Sequence, residues 1–364
     1  MTERIIVIGA GIIGLCTAFE LTEMLGRDAH LTVIDPAPAS GASHYAGGML
    51  APVAEVQYRQ EPLYPLMIES ARLYPNLLRR VASATDLPLG YRNEGTLVVA
   101  ADRADADHLR DLTAHQRAHA MTVEPLTLRQ ARRLEPALSP ALAGAVSIPN
   151  DTQVAPRLLS AALMDALRHR GVEFRTTRVT GIGSAELRTD HGSIDTRGAR
   201  VVLAAGLGAA PLVKGLRLRP VYGDILVARC PGVLQRVVRG FVEDRPIYLI
   251  PRGETMAIGA TSREDHRAGT PLGAVRDLLR DSCRIVPALE EADLLEWGTG
   301  TRPGTPDDLP YLGKIGDTVI STGYFRHGIV LAALGGRVGA RLALGLDPGF
   351  DIHACNPQRH KEER

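Results

Sequence analysis

Residues 4–14 run Arg-Ile-Ile-Val-Ile-Gly-Ala-Gly-Ile-Ile-Gly, an apolar strand pattern that ends in G-x-G-x-x-G and leads straight into an apolar helix pattern. This arrangement predicts a dinucleotide-binding β-α-β unit. Gly9 permits the tight turn after the strand, Gly11 lets the backbone approach a pyrophosphate, and Gly14 lets helix and strand pack closely. The helix expected over residues 12–25 aims its first N–H groups, at Ile12 and Ile13, toward the phosphates. A second apolar run ends in Asp35, 21 positions after Gly14. That is close to the spacing of roughly 20 at which a carboxylate holds ribose hydroxyls. An acid here disfavours the 2′-phosphate of NADP, which leaves NAD and FAD open.

The 364 residues include 42 basic and 41 acidic side chains, so no overall field attracts nucleic acid. At 45% hydrophobic the chain can bury a sizeable core, expected as two lobes. No apolar run reaches the ~18 residues of a membrane span, and the apolar N-terminus is expected as a strand, not a secretory leader. Cys16, Cys230, Cys283 and Cys355 are far apart with no C-x-x-C pair. The expectation is reduced thiols in a cytoplasmic protein and no metal site. Cys16 sits near the phosphate-facing end of the first helix, which leaves two roles open, a low-pKa thiol or a small packing residue.

Further along, helical patterns cover residues 63–85, 102–135, 155–170, 271–285 and 328–345, the last with Arg337 and Arg341 on its polar face. Apolar strands ending in Gly206 and Gly323 extend the parallel sheet, whereas residues 217–260 alternate as antiparallel strands do. The expected fold is α/β. A Rossmann-like domain takes residues 1–85, 146–215 and 297–352; an inserted β-rich, α+β domain takes residues 86–145 and 216–296. A frayed tail is expected over residues 353–364.

Four segments together resemble the D-amino-acid oxidase family of flavoproteins, most closely its thiamine-biosynthetic glycine oxidases. They are the fingerprint; Gly41-Ala42-Ser43 with Ala46-Gly47-Gly48-Met49-Leu50-Ala51-Pro52; Tyr248-Leu249-Ile250-Pro251-Arg252; and Gly300-Thr301-Arg302-Pro303-Gly304 with Gly323-Tyr324-Phe325-Arg326-His327-Gly328-Ile329. Their order and spacing match across nearly the whole chain. The resemblance implies FAD rather than NAD. It also implies the family fold, in which the Rossmann-like domain binds FAD and the insert binds substrate. Gly41 to Gly48, almost free of bulk, suits close backbone approach to a large planar cofactor. By resemblance, Val179 meets the adenine, Gly206 lies near the cofactor at the sheet's carboxyl edge, and the last helix starts against the flavin after Arg326, His327, Gly328 and Ile329. Its dipole, about half a unit charge, would stabilise reduced flavin. With no cysteine in residues 296–313, FAD is expected to be noncovalent.

The implied activity is oxidative deamination of glycine or a similar small amino acid, such as sarcosine or a small D-amino acid. Hydride passes from the α-carbon of the neutral amine to flavin N5. Hydrolysis of the imine gives a 2-oxo acid and ammonia, and dioxygen becomes hydrogen peroxide. Arg302 is the expected carboxylate anchor, because a guanidinium fork makes two parallel hydrogen bonds to a carboxylate. Tyr248 is expected to add its hydroxyl, and Arg326 to lie near the substrate amine or flavin edge. No side-chain base is required, since orientation and a neutral amine suffice. Some positions depart from the family pattern: residues 220–224 (Pro-Val-Tyr-Gly-Asp), residues 207–209 (Leu-Gly-Ala), His327 where Asn is common, and Leu334. These leave the exact amine open, together with a dehydrogenase of the same fold and a noncatalytic FAD-binding subunit. Relatives include homo-oligomers, so one is admitted here.

Overall fold

The computed structural model describes residues 3–26 and 29–361. The strand Glu3–Ile8 buries its last four residues because it lies inside a parallel sheet covered on both faces. Ile8 pairs with Ile34 on one side and with Leu203 on the other. The sheet order is Tyr311–Ile315, Thr318–Thr322, Ala199–Leu203, Glu3–Ile8, Ala29–Ile34, Glu173–Arg175, with only the first of these antiparallel to its neighbour. Seven α-helices accompany it among the described residues: α1 (Ile12–Leu25), α2 (Tyr64–Ala82), α3 (Arg103–Ala118), α4 (Leu128–Leu134), α5 (Pro156–His169), α6 (Leu272–Ile285) and α7 (Ala332–Ala343). No helix among these residues is long and apolar enough to cross a membrane.

Ile5, Val7, Phe19, Tyr74, Leu163 and Val338 belong to one apolar cluster that joins the parallel sheet to α1, α2, α5 and α7. α1 is apolar around most of its circumference, as a helix must be when other elements cover it. Glycines set how close these layers come. Gly9 has φ +107°, and a Cβ there would meet the Ala204 carbonyl oxygen at 2.5 Å. A Cβ on Gly14 would lie 1.9 Å from the Gly9 carbonyl oxygen, and one on Gly336 would meet Cys16 Cβ at 2.7 Å. Cys16 is fully buried in this contact, and burial pushes its thiol pKa far up. It is a packing residue, not a reactive thiol.

The second sheet has eight strands, in the order Asp293–Gly304, Arg219–Arg229, Thr255–Gly259, Arg245–Arg252, Val237–Val242, Thr96–Ala100, Gly144–Ile148, Glu124–Leu126. Every pairing is antiparallel except that of Val237–Val242 with Thr96–Ala100, where the two inserted segments join. α6 covers its back through Leu278 and Ile285, which cluster with Leu97, Val238, Leu249 and Ile258. The expected boundaries before residues 146 and 297 fall inside the strands Gly144–Ile148 and Asp293–Gly304. Neither strand carries a turn signal at the join, so the pattern does not mark where one layer ends.

The expectations for the C-terminal part of the chain need correction. Residues 353–361 are docked, not frayed. Cys355 is fully buried, Arg359 pairs with Asp307 at 2.8 Å and lies over the Tyr311 ring, and His360 Nδ1 lies 2.8 Å from the Tyr311 hydroxyl. The tail's polar composition hides partners that only the folded chain brings near; residues 362–364 lie outside the described residues. The last α-helix begins at Ala332, later than expected, because a 3₁₀ turn at Phe325–His327 comes first. Arg337 is exposed, but Arg341 is half-buried, with Nε donating to the Asp347 carbonyl.

The α1–α7 contact gives a direct test. Gly336→Ala improves helix propensity by about 0.8–1 kcal/mol, yet its Cβ would lie 2.8 Å from the Cys16 carbonyl carbon. Overpacking costs about 1–3 kcal/mol, so the expected net result is a lower urea midpoint for the FAD-loaded protein at unchanged slope. A midpoint at or above wild type would show that the helices can separate freely.

Candidate active site

A cavity of about 650 Å³ lies between the two sheets. The glycine turn builds one wall: Gly11, Ile12 and Ile13 line it, whereas Gly9 and Gly14 stand behind and hold the turn closed. Asp35 also lines the cavity. Its carboxylate accepts from Ala10 N at 2.8 Å and Ala37 N at 2.7 Å, which fixes its orientation while leaving lone pairs for a ligand hydroxyl. Ser43 Oγ accepts from Ile12 N at 3.0 Å and so ties the small-residue run to the start of α1.

That run lines the cavity at Gly41, Ala42, Ser43, Ala46, Gly47, Gly48 and Met49. Gly48 has φ +96°, and a Cβ there would strike the Val154 carbonyl oxygen at 2.1 Å. Met49–Leu50 pairs with Thr152–Gln153, and Arg252 Nη2 donates to the Gly47 carbonyl at 2.7 Å. The run is therefore a braced segment. Gly206, Gly328 and Ile329 line the cavity as well. The N–H groups of Gly328 and Ile329 have no backbone acceptor among the described residues. Val179 and His327 are not lining residues. Val179 is buried in a small apolar cluster, although the adjacent Arg178 reaches the cavity.

Tyr248, Arg302 and Arg326, far apart in sequence, meet at the cavity wall. Glycines make room for two of them. A Cβ on Gly259 would meet the Tyr248 hydroxyl at 2.6 Å, and one on Gly223 would meet Arg302 Nη2 at 2.3 Å. The strand register sets Val221 opposite Arg302 and Gly223 opposite Gly300. Arg302 Nη1 donates to the Thr261 carbonyl at 3.1 Å, and no carboxylate pairs with this guanidinium among the described residues. Burial, with Arg326 nearby, pushes its pKa down. Burial raises the Tyr248 pKa, against the pull of the Arg302 charge, so its hydroxyl stays protonated and can donate. Arg326 follows Phe325, whose φ of +46° is uncommon for a non-glycine residue and marks a constrained turn.

Several cavity residues escaped the sequence reading. Arg239, in the strand Val237–Val242, pairs with Glu55 and donates to the Ala54 carbonyl. Burial alone would raise the Glu55 carboxyl, but Arg239, then Arg326, His327 and Arg302, hold it below the usual carboxylate range. The available signal was an arginine set in an otherwise apolar strand. Beneath the loop, Asp151 accepts from Ala54 N at 3.1 Å, and burial pushes its carboxyl up to about 7. The unusual Gly223-Asp224 pair also has a role. Asp224 is fully buried, accepts from Arg263 at 2.8 and 3.0 Å, and hydrogen-bonds Thr261, whose carbonyl holds Arg302. Asp224 thereby braces the residue whose carbonyl meets that guanidinium.

A dinucleotide fits this arrangement. Glycines whose Cβ atoms would collide keep the backbone close to the cavity, unpartnered N–H groups line it, and an oriented carboxylate stands at Asp35. None of the four cysteines lines the cavity.

His327 is buried, and neither ring nitrogen has a hydrogen-bond partner. Burial lowers its pKa to about 4, with Arg326, Arg239 and Arg302 lowering it further and Glu55 opposing. The unfolded chain therefore binds a proton, near pH 6.5, that the folded one refuses until about pH 4, so this histidine removes stability as pH falls through that window. Asp151 has the opposite trend, so the comparison must be differential. The Tm of His327→Asn relative to wild type is expected to rise steadily from pH 7 to pH 4.5, on the scale of up to about 3 kcal/mol. A pH-independent difference between the two melting curves would contradict this.

Residues 4–342 match the family model described as FAD dependent oxidoreductase. The glycine oxidase of Geobacillus kaustophilus is 32% identical, with 99% of this chain and 98% of that protein aligned. A crystal structure of glycine oxidase from Geobacillus kaustophilus superposes with a TM-score of 0.90 at 32% identity, covering 99% and 100% of the two chains. The bifunctional protein ThiO/ThiG of Synechocystis is 32% identical over 98% of this chain, which spans 54% of that longer protein. The chain belongs to the FAD-dependent oxidoreductase family, with the D-amino-acid oxidase type of fold that its sequence motifs resemble.

Proposed function

We propose that the protein oxidatively deaminates glycine or a similarly small amino acid, such as sarcosine or a small D-amino acid, with noncovalent FAD and dioxygen. The observation that carries this reading is the Arg302 guanidinium, set in the cavity wall with only a carbonyl partner. A buried charge without a counter-charge is costly, and a substrate carboxylate relieves that cost through two parallel hydrogen bonds. Tyr248 donates its hydroxyl to the same carboxylate. The Asp224–Thr261 linkage holds Arg302 at one angle, so the bound substrate presents its α-carbon in one orientation.

FAD, when bound, supplies the two-electron acceptor. The chain's further contribution is electrostatic. Where Arg302, Arg326 and Arg239 gather near Glu55, three positive charges face one negative, and their field disfavours a further positive charge on the substrate amine. The amine is thereby held neutral, with its lone pair available, and no side-chain base is needed. A further relative, the putative thiamine biosynthesis oxidoreductase ThiO of Rhizobium etli, 33% identical over 93% of this chain, supports a role in thiamine synthesis, which we place at the thiazole. The oxidase name supports dioxygen as the final acceptor, and taking up two electrons turns it into peroxide.

Anaerobic mixing with glycine, sarcosine, D-alanine, D-proline and longer D-amino acids is expected to bleach the flavin fastest with one of the first three. Admitting air should then yield one peroxide per turnover. Bleaching without peroxide would replace the oxidase by a dehydrogenase, and no bleaching by any amino acid would remove the reading. Arg302→Ala should stay yellow but lose roughly 30- to 5,000-fold in kcat/KM, the equivalent of about 2–5 kcal/mol for leaving one charge unpaired. Wild-type kcat/KM in that variant would show that the carboxylate is held elsewhere.

A further inference from the structure

Away from the cavity, His115 lies in the last turn of α3 and His119 caps it, four residues apart and therefore on one helical face. Glu61 opens the 3₁₀ turn Glu61–Leu63 just ahead of α2 and approaches them from another layer. One ligand atom from each of the three lies within 4.8 Å of those of the other two. Among the described residues no other group of His, Cys, Asp and Glu gathers three such atoms, and Glu61 has no ion pair with lysine or arginine.

The hydrogen bonds around the two rings decide which nitrogens are free. Tyr64 donates its single hydroxyl proton to the Gln57 carbonyl, because a carbonyl can only accept. The Tyr64 oxygen must then accept from His115 Nε2–H, 3.0 Å away, which leaves His115 Nδ1 with its lone pair. His119 Nδ1 lies 2.9 Å from the His115 carbonyl oxygen and must donate to it, which leaves the lone pair on His119 Nε2. Each ring thus has one nitrogen tied to an oxygen and the other available. That is how oxygen acceptors around metal-binding histidines fix tautomer and ring orientation. Tyr58 packs on the His115 ring with centroids 4.7 Å apart, and one Glu61 oxygen accepts from Arg59 N.

We propose that Glu61, His115 and His119 bind one divalent transition-metal ion of the zinc class. Two imidazoles and a carboxylate suit zinc, nickel or cobalt, whereas magnesium and calcium favour all-oxygen sites. Metal–nitrogen bonds of about 2.0–2.1 Å place tetrahedral ligand atoms about 3.4 Å apart. The His115 ring is held in place, whereas Glu61 and His119 are both exposed and have room to turn and close from 4.8 Å. Water completes the coordination. The ion clamps α3, which packs on the eight-stranded sheet, to the segment between Met49 and α2 that carries Glu55.

The test uses untagged, FAD-loaded protein passed through a chelator and titrated calorimetrically with zinc chloride. One equivalent of zinc is expected to bind and to raise the Tm. The His115→Ala/His119→Ala double variant should lose both effects while keeping the flavin spectrum and a cooperative metal-free melt. Glu61→Gln, a change on an exposed side chain, should weaken binding. Tyr64→Phe, which keeps all three ligands but releases the His115 tautomer, should weaken it by about 10- to 100-fold. Absence of saturable zinc binding by wild type, or equal binding by the double variant, would overturn the proposal.

Discussion

The contact on which the architecture rests is that of Gly14 against the Gly9 carbonyl. With less than 2 Å available to a Cβ at Gly14, no other residue lets α1 leave the first strand at this angle. The Gly9 turn in turn lies against Ala204, at the end of the neighbouring strand, so the two strands flanking the switch point share one tight junction. α7 then presses on α1 through Gly336, and the turn ahead of α7 carries Arg326, Gly328 and Ile329 to the cavity. Loosening the first contact would move the phosphate turn and the C-terminal cavity wall together.

The cavity's chemistry depends on a second layer of space-making. Gly47 and Gly259 flank the Tyr248 ring, and Gly223 leaves the gap that Arg302 fills. Large polar side chains are thus accommodated by removing atoms opposite them, which leaves them only partly open to solvent. The result is an electropositive, partly desolvated wall. Glu55 is retained there by its pair with Arg239, and Arg302 is left without a paired carboxylate among the described residues. Such a wall favours an anionic group on the ligand and a neutral amine beside it.

Much of this was legible in the sequence. The fingerprint, the helices α1, α2, α5 and α6, and the strands ending at Gly206 and Gly323 follow from periodicity and glycine punctuation, which are local signals. Tyr248, Arg302 and Arg326 were identified through motif resemblance, and the chain does bring them to one cavity. Glu55 and Arg239 were not, because their significance lies in a pair that spans 184 positions. The docked tail escaped for the same reason, since Arg359 and His360 look like solvated charge until Asp307 and Tyr311 lie beside them. The histidines at 115 and 119 carry helical spacing in the sequence, but Glu61 and Tyr64 join them only by folding.

The sequence by itself determined the β-α-β start, the dinucleotide turn and the β-rich character of the insert, because each depends on near neighbours along the chain. Only the tertiary structure decided which glycines serve the cofactor wall and which serve distant side chains. It placed Asp224 behind Arg302, left that guanidinium without a paired carboxylate among the described residues, and buried His327 away from the cavity. The physical reason is that charge pairing, desolvation and steric room are properties of surroundings. Those surroundings are assembled here from segments 37 to 184 residues apart.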